Sequence, residues 1–216
     1  MEILRRLVTS SIGRKVIMAV SGLYLGLFLL LHALGNSTIF FGAEVFGSYA
    51  HHLHDLGLLV YLVELLLLAI FIIHISFAAL LFFANRRARD KGYAVSRSSG
   101  ERSLGSRTMF YSGLVVLLFI LFHLARVRFA DSGGQIAELV RSHLSQRGVG
   151  IAYLLGLSAL ALHLSHGFWS LWRSLGVEHP LYNGLIRSLA WLFTVTISAI
   201  FLAITLLGFF WPNFLA

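Results

Sequence analysis

The chain has no cysteine and only nine acidic residues among its 216. Without cysteine it forms no disulfide, presents no thiolate nucleophile and ligates no iron-sulfur cluster, so any such centre belongs to another subunit. Nothing in it resembles a phosphate-binding glycine loop or a nucleophile elbow. Its connections are also too short to build a soluble cleft with paired carboxylates or an independent catalytic domain. Charged residues make up 12% and hydrophobic ones 58%, a balance outside the range of ordinary soluble domains.

What is present instead is apolar sequence in long runs. A helix needs roughly 20 residues to cross a hydrocarbon core of about 30 Å, and five stretches, near 12–34, 57–84, 108–127, 149–172 and 188–210, are long enough. Strands would read as short alternating segments, so a barrel is disfavoured. The expected fold is all-α, a single integral membrane bundle of five transmembrane helices spanning 1–216. The first stretch is too long for a cleaved leader and no small-residue cleavage site follows it, so it is expected to remain as a helix.

Basic residues are retained on the cytoplasmic side of membranes. Thirteen of the 17 Lys and Arg residues fall before span one, between spans two and three, or beside the connection from span four to span five. The N-terminus is therefore expected inside, in the cytoplasm, and the C-terminus outside. The net charge of +8 reads as a basic rim for anionic lipid or a docked partner, with no element suited to nucleic acid. The inner connection 85–107, "NRRARDKGYAVSRSSGERSLGSR", reads as a flexible docking segment. The outer "GGQIAELVRSHLSQRG" alternates at helical spacing and predicts a short interfacial helix. No internal repeat is evident.

Ionisable residues inside spans are costly and default to functional hypotheses; here they are His32, His74, His123, His163, His166 and Glu64. Counting depth from each helix start pairs His32 with His123 near the outer side. It sets His74, roughly 26 Å down its span, beside His163 and His166 near the inner side. Two imidazoles from different helices at one depth can take the two axial positions of a haem iron, and two such pairs imply two stacked haems suited to electron transfer across the bilayer. His163 and His166, at i and i+3, compete for the fourth position, and matched depth with His74 favours His166.

Gly22, Gly26, Gly113 and Gly156 would let a flat macrocycle approach the backbone, although small residues at helix crossings also serve ordinary packing. Arg126, Arg128 and Arg173 stand just past the histidines, where propionates could pair with them. Glu64 lies roughly 10 Å below the outer end of span two; a carboxyl at that depth holds a proton readily and is a candidate proton carrier beside a quinone. His51, His52, His54 and Asp55, like His143, read as solvated interfacial groups, and His179 beside Pro180 as a turn residue.

The opening "SSIGRKVIMAVSGLYLGLFLLLHALGN", the second-span "VYLVELLLLAIFIIH" and the fourth-span "LHLSHGFWSLWRSLG" resemble the membrane-anchor cytochrome b subunit of diheme succinate:quinone oxidoreductases and fumarate reductases. The resemblance extends over essentially the whole chain, and "HALGN" and "HLSHGFWS" are its most specific pieces. It implies two haems b, with His32 and His123 on the distal haem and His74 with a span-four histidine on the proximal one. His166 and His163 both remain open as that histidine.

It further implies a flavoprotein partner with covalent FAD and an iron-sulfur partner on the inner face. Succinate oxidation, a step of the tricarboxylic acid cycle, would take place on those partners. Electrons would pass to a quinone, usually menaquinone in diheme members, in the cytoplasmic (inner) membrane. The competing readings are a cytochrome b anchor of another oxidoreductase, such as a hydrogenase or formate dehydrogenase, and a haem-free proton-coupled transporter.

Overall fold

The computed structural model describes residues 2–87, 104–130, 135–211 and 213. The basic connection 85–107, read above as a docking segment, lies mostly outside the described residues.

Five long helices carry the five expected spans. They are α2 (Ser11–Asn36), α4 (Leu58–Arg87), α5 (Leu104–His123, continued by a π turn over Leu124–Arg128), α7 (Arg147–Ser174) and α8 (Asn183–Phe210). No strand occurs among the described residues. Each is long and apolar enough to cross a bilayer, where a helix satisfies every backbone group within its own segment.

Three shorter helices surround them. α1 (Glu2–Thr9) turns into α2 through Ser10, whose side chain accepts from the Gly13 N–H at 3.0 Å as an N-cap should. The corner is tight. Arg14 Nε donates to the Val8 carbonyl at 2.9 Å, and a Cβ on Gly13 would run into the Leu7 backbone. α3 (Ala43–Asp55) follows a 3-10 turn, Ser37–Phe41, and Gly42, whose φ of 107° is open only to glycine at low cost. α6 (Ile136–Leu144) is the short helix expected in the outer connection. α1 and α3 were not anticipated by the apolar pattern.

α2 lies between α4 and α7, α5 packs along α7, and α8 closes against α7 and α2. The closest crossings use small residues, as membrane helices do in the absence of a hydrophobic drive. A Cβ on Gly156 of α7 would run into the Phe119 ring of α5, and one on Gly150 into Phe209 of α8. α4 is different. None of its residues is buried within the chain, and it approaches α5 closely at only a few points. Those include a ring stack of Phe82 on Phe110, 3.8 Å and 11° apart, near the end where α2 begins. At the opposite end a forked ion pair joins Glu64 and Arg128.

For orientation, the end where α2 begins is called the near end and the other the far end. The far end is capped by an apolar cluster of Ile39, Phe46, Ala137, Leu144 and Ile204, packed against Tyr153 and Phe201. This is why α3 and α6 settle there: each has a single narrow apolar face, with Phe46 on one and Ala137 and Leu144 on the other.

The expectation of no internal repeat is corrected by the contacts. α2 and α5 carry the same string, Met-x-x-Ser-Gly followed ten residues later by His: Met18, Ser21, Gly22 and His32 in one, Met109, Ser112, Gly113 and His123 in the other. α4 and α7 share His-(Ile/Leu)-Ser at His74 and His163. In both halves the Ser-Gly of the first helix meets the histidine of the next span. Several of the shared positions are leucines and phenylalanines in a uniformly apolar background, which hid the repeat.

Candidate functional site

Four of the five span histidines meet in two pairs. His32 of α2 faces His123 at the end of α5, with ring centroids 6.0 Å apart and planes at 84°. His74 of α4 faces His163 of α7 at 6.5 Å and 71°. The first pair sits at the far end and the second toward the near end. Depth counting favoured His166 as the partner of His74; the ring that meets His74 is His163. His166 lies three residues further along α7, toward Arg173. A difference of one turn is too small to read from axial depth, and the direction in which each side chain leaves the helix decides the matter.

Two imidazoles hydrogen-bonded directly to each other would have centroids about 5 Å apart. Both pairs stand wider than that, at 6.0 and 6.5 Å in edge-on contact. That spacing is ordinary for edge-to-face rings and also wide enough for the two rings to share a metal atom at about 2 Å from each nitrogen. Among the described residues, no group of three or more His, Cys, Asp and Glu is arranged to hold a metal ion. Two protein ligands fall short of an ordinary structural zinc site, but they are the full protein complement of a haem iron held by two axial histidines. The donor set therefore fits haem.

Each ring is held from behind. Ser21 Oγ lies 3.1 Å from His74 Nδ1, and Ser112 Oγ 3.4 Å from His163 Nδ1. A Cβ on Gly22 would stand 3.3 Å from His74 Cε1, and one on Gly113 3.1 Å from His163 Cε1. The glycines leave these rings the space they occupy, which is a more specific role than the general backbone approach expected of them. At the far end the Tyr153 hydroxyl meets His123 Nδ1 at 3.0 Å. The Asn36 amide donates to the His32 carbonyl at 2.8 Å and lies 3.3 Å from His32 Nδ1. Phe28 stacks on His32 at 5.4 Å, and Phe201 covers it from α8 at 5.6 Å. Ser21, Ser112, Tyr153 and Asn36 were not singled out by the sequence reading; the repeated Ser-Gly was the signal that could have found the two serines.

The remaining candidates are dispersed. Gly26 faces the stacked rings of Phe168 and Phe193 rather than a histidine. Glu64, expected as a proton-holding carboxyl and candidate proton carrier, is gripped by Arg128 through two bonds of 2.7 and 3.0 Å. Arg128 is thereby committed to a carboxylate, as is Arg173 to Glu178 at 3.0 Å. Arg126 lies over the Phe122 ring at 5.6 Å and beside His143 of α6. Burial, and then the Arg126 charge, hold the His143 imidazole below its ordinary range.

Among the α3 histidines, His51 bonds Asp55 at 2.9 Å and His52 bonds the Ser48 carbonyl at 2.7 Å, both in exposed positions. His179 caps its turn by accepting from the Leu181 N–H at 3.3 Å.

No family model matches the chain, and no solved structure matches it. It is similar to the succinate dehydrogenase cytochrome b558 subunit of Bacillus subtilis (strain 168), with 25% identity over 157 residues that cover 67% of this chain and 70% of that protein. The five spans and this distant relative together support a multi-pass membrane protein related to a cytochrome b subunit of a succinate dehydrogenase.

Proposed function

We propose that the chain is the membrane-anchor cytochrome b subunit of a succinate:quinone oxidoreductase, holding two haems b and carrying electrons between an iron-sulfur partner and a quinone. The observation that carries this reading is the pair of facing histidines at each end of the bundle, at separations of 6.0 and 6.5 Å. The relative's name agrees with it. Continuous spans favour it over a transporter, whose binding helices are typically broken at the midplane.

In this proposal His32 and His123 would hold the far-end haem, and His74 and His163 the near-end one. The haems supply one-electron chemistry when bound. The protein holds the four imidazoles in place and covers the far-end pair with Phe28, Phe201 and the apolar cap. Arg126, which has no carboxylate partner among the described residues, is the arginine best suited to a propionate. The N-terminus is cytoplasmic, the near end faces a flavoprotein and an iron-sulfur subunit, and the membrane is the cytoplasmic one. The quinone is menaquinone. It binds among the lipid-facing helices, with the Glu64–Arg128 pair as a polar contact at the far end.

Haem quantification and a reduced-minus-oxidised spectrum of the purified chain test the reading. Two b haems per chain are expected, with His74→Ala removing the near-end one and His32→Ala the far-end one. A chain without b-type bands refutes it.

A further inference from the structure

The near-end histidines are held in two copies of one seat, and the hydrogen bonds of that seat determine where the ring protons sit. Ser21 Oγ is 3.1 Å from the Met18 carbonyl oxygen and 3.1 Å from His74 Nδ1. Ser112 Oγ is 3.1 Å from the Met109 carbonyl oxygen and 3.4 Å from His163 Nδ1. A serine hydroxyl has one proton and two lone pairs, whereas a carbonyl oxygen only accepts. The proton goes to the carbonyl, and the oxygen turns a lone pair toward the ring. Nδ1 then carries the hydrogen and donates it, which leaves Nε2 bare on both rings.

The far end is built differently. There a donor amide, Asn36 Nδ2, approaches His32 Nδ1, and a tyrosine hydroxyl approaches His123 Nδ1. The hydroxyl-carbonyl relay belongs to the near end alone among the described pairs.

Resting on the haem reading above, we infer that Ser21 and Ser112 are positioning residues: they fix the near-end imidazoles in the tautomer whose Nε2 binds iron and raise their basicity through the Nδ1–H bond. A more basic ligand stabilises the oxidised metal, and removal of such an outer partner typically costs at least tenfold in metal affinity. The duplication supports the inference independently of either contact. In both halves the serine precedes the glycine that gives the same ring its space, and in both it is buried.

The test is a redox titration of b-haem absorbance in the intact complex, with the near-end haem identified as the one lost in His74→Ala. Ser21→Ala is expected to raise the near-end midpoint potential by about 59 mV, the equivalent of a tenfold change for one electron. Ser112→Ala should move it the same way by less, since its contact is longer. Ser21→Thr, which keeps the hydroxyl, should restore the wild-type value, and the far-end potential should stay put throughout.

Loss of the near-end haem in Ser21→Ala with retention in Ser21→Thr also supports the role. Loss in both, or an unchanged near-end potential in Ser21→Ala and Ser112→Ala, overturns it while leaving the haem reading intact. A wild-type complex without haem would overturn the haem reading itself, and this inference with it.

Discussion

Replacing Gly113 with alanine tests the near-end geometry more sharply than removing a ligand does. The new Cβ would stand 3.1 Å from His163 Cε1, where ordinary contact begins at 3.4 Å, so the ring must retreat by at least about 0.3 Å. The matched change at Gly22 starts from 3.3 Å and asks only about 0.1 Å of His74. Metal–ligand distances tolerate about ±0.2 Å. One substitution therefore exceeds the tolerance and the other does not.

On the proposed two-haem reading, Gly113→Ala is expected to lose the near-end haem or convert it to a weakly ligated form, with an overpacking cost of about 1–3 kcal/mol. Gly22→Ala should keep it with small spectral changes, and both should leave the far-end haem untouched. Low-temperature difference spectra with haem counted per chain distinguish these outcomes. Identical near-end signals in Gly113→Ala and the wild type, or selective loss at the far end, would refute the reasoning.

Other perturbations reach different parts of the bundle. Gly156→Ala should cost about 1–3 kcal/mol in denaturant titration, because its Cβ has no room beside Phe119. Glu64→Gln should loosen the α4–α5 seam by up to ~1 kcal/mol, discounted because both side chains are about half exposed; exchanging the two charges in a double variant should recover part of that loss. His143 titrates below its ordinary range when folded. Protonation therefore favours the unfolded chain, and its contribution is present above pH 6.5 and lost as pH falls through the depressed value. The wild type should accordingly lose more melting temperature between pH 7.5 and pH 5 than His143→Gln does.

The spans were legible because lipid imposes a length and an apolar character that no packing detail can mask. α6 was legible too, since Ile136, Ala137, Val140 and Leu144 recur at helical spacing. α3 was not: Phe46 is its only buried residue, and the polar AHHLHD tail hides its face. The histidine pairs follow from depth, which a count along the axis supplies. The choice of His163 over His166 does not, because it depends on which side of α7 looks toward α4. Likewise, Glu64 and Arg128 are 64 residues apart, and nothing local to either announces the other.

The duplicated halves have a consequence for how the molecule comes into being. Each facing pair takes one ring from α2 or α4 and the other from α5 or α7, so neither half completes a pair alone. A chain with only its first two spans inserted has Ser21 against His74 but neither of the imidazoles that face His32 and His74. The His32–His123 pair closes when the third span has arrived and the His74–His163 pair when the fourth has. On the proposed two-haem reading, filling both pairs would therefore require insertion to have run through four helices, whereas the far-end pair alone would require three.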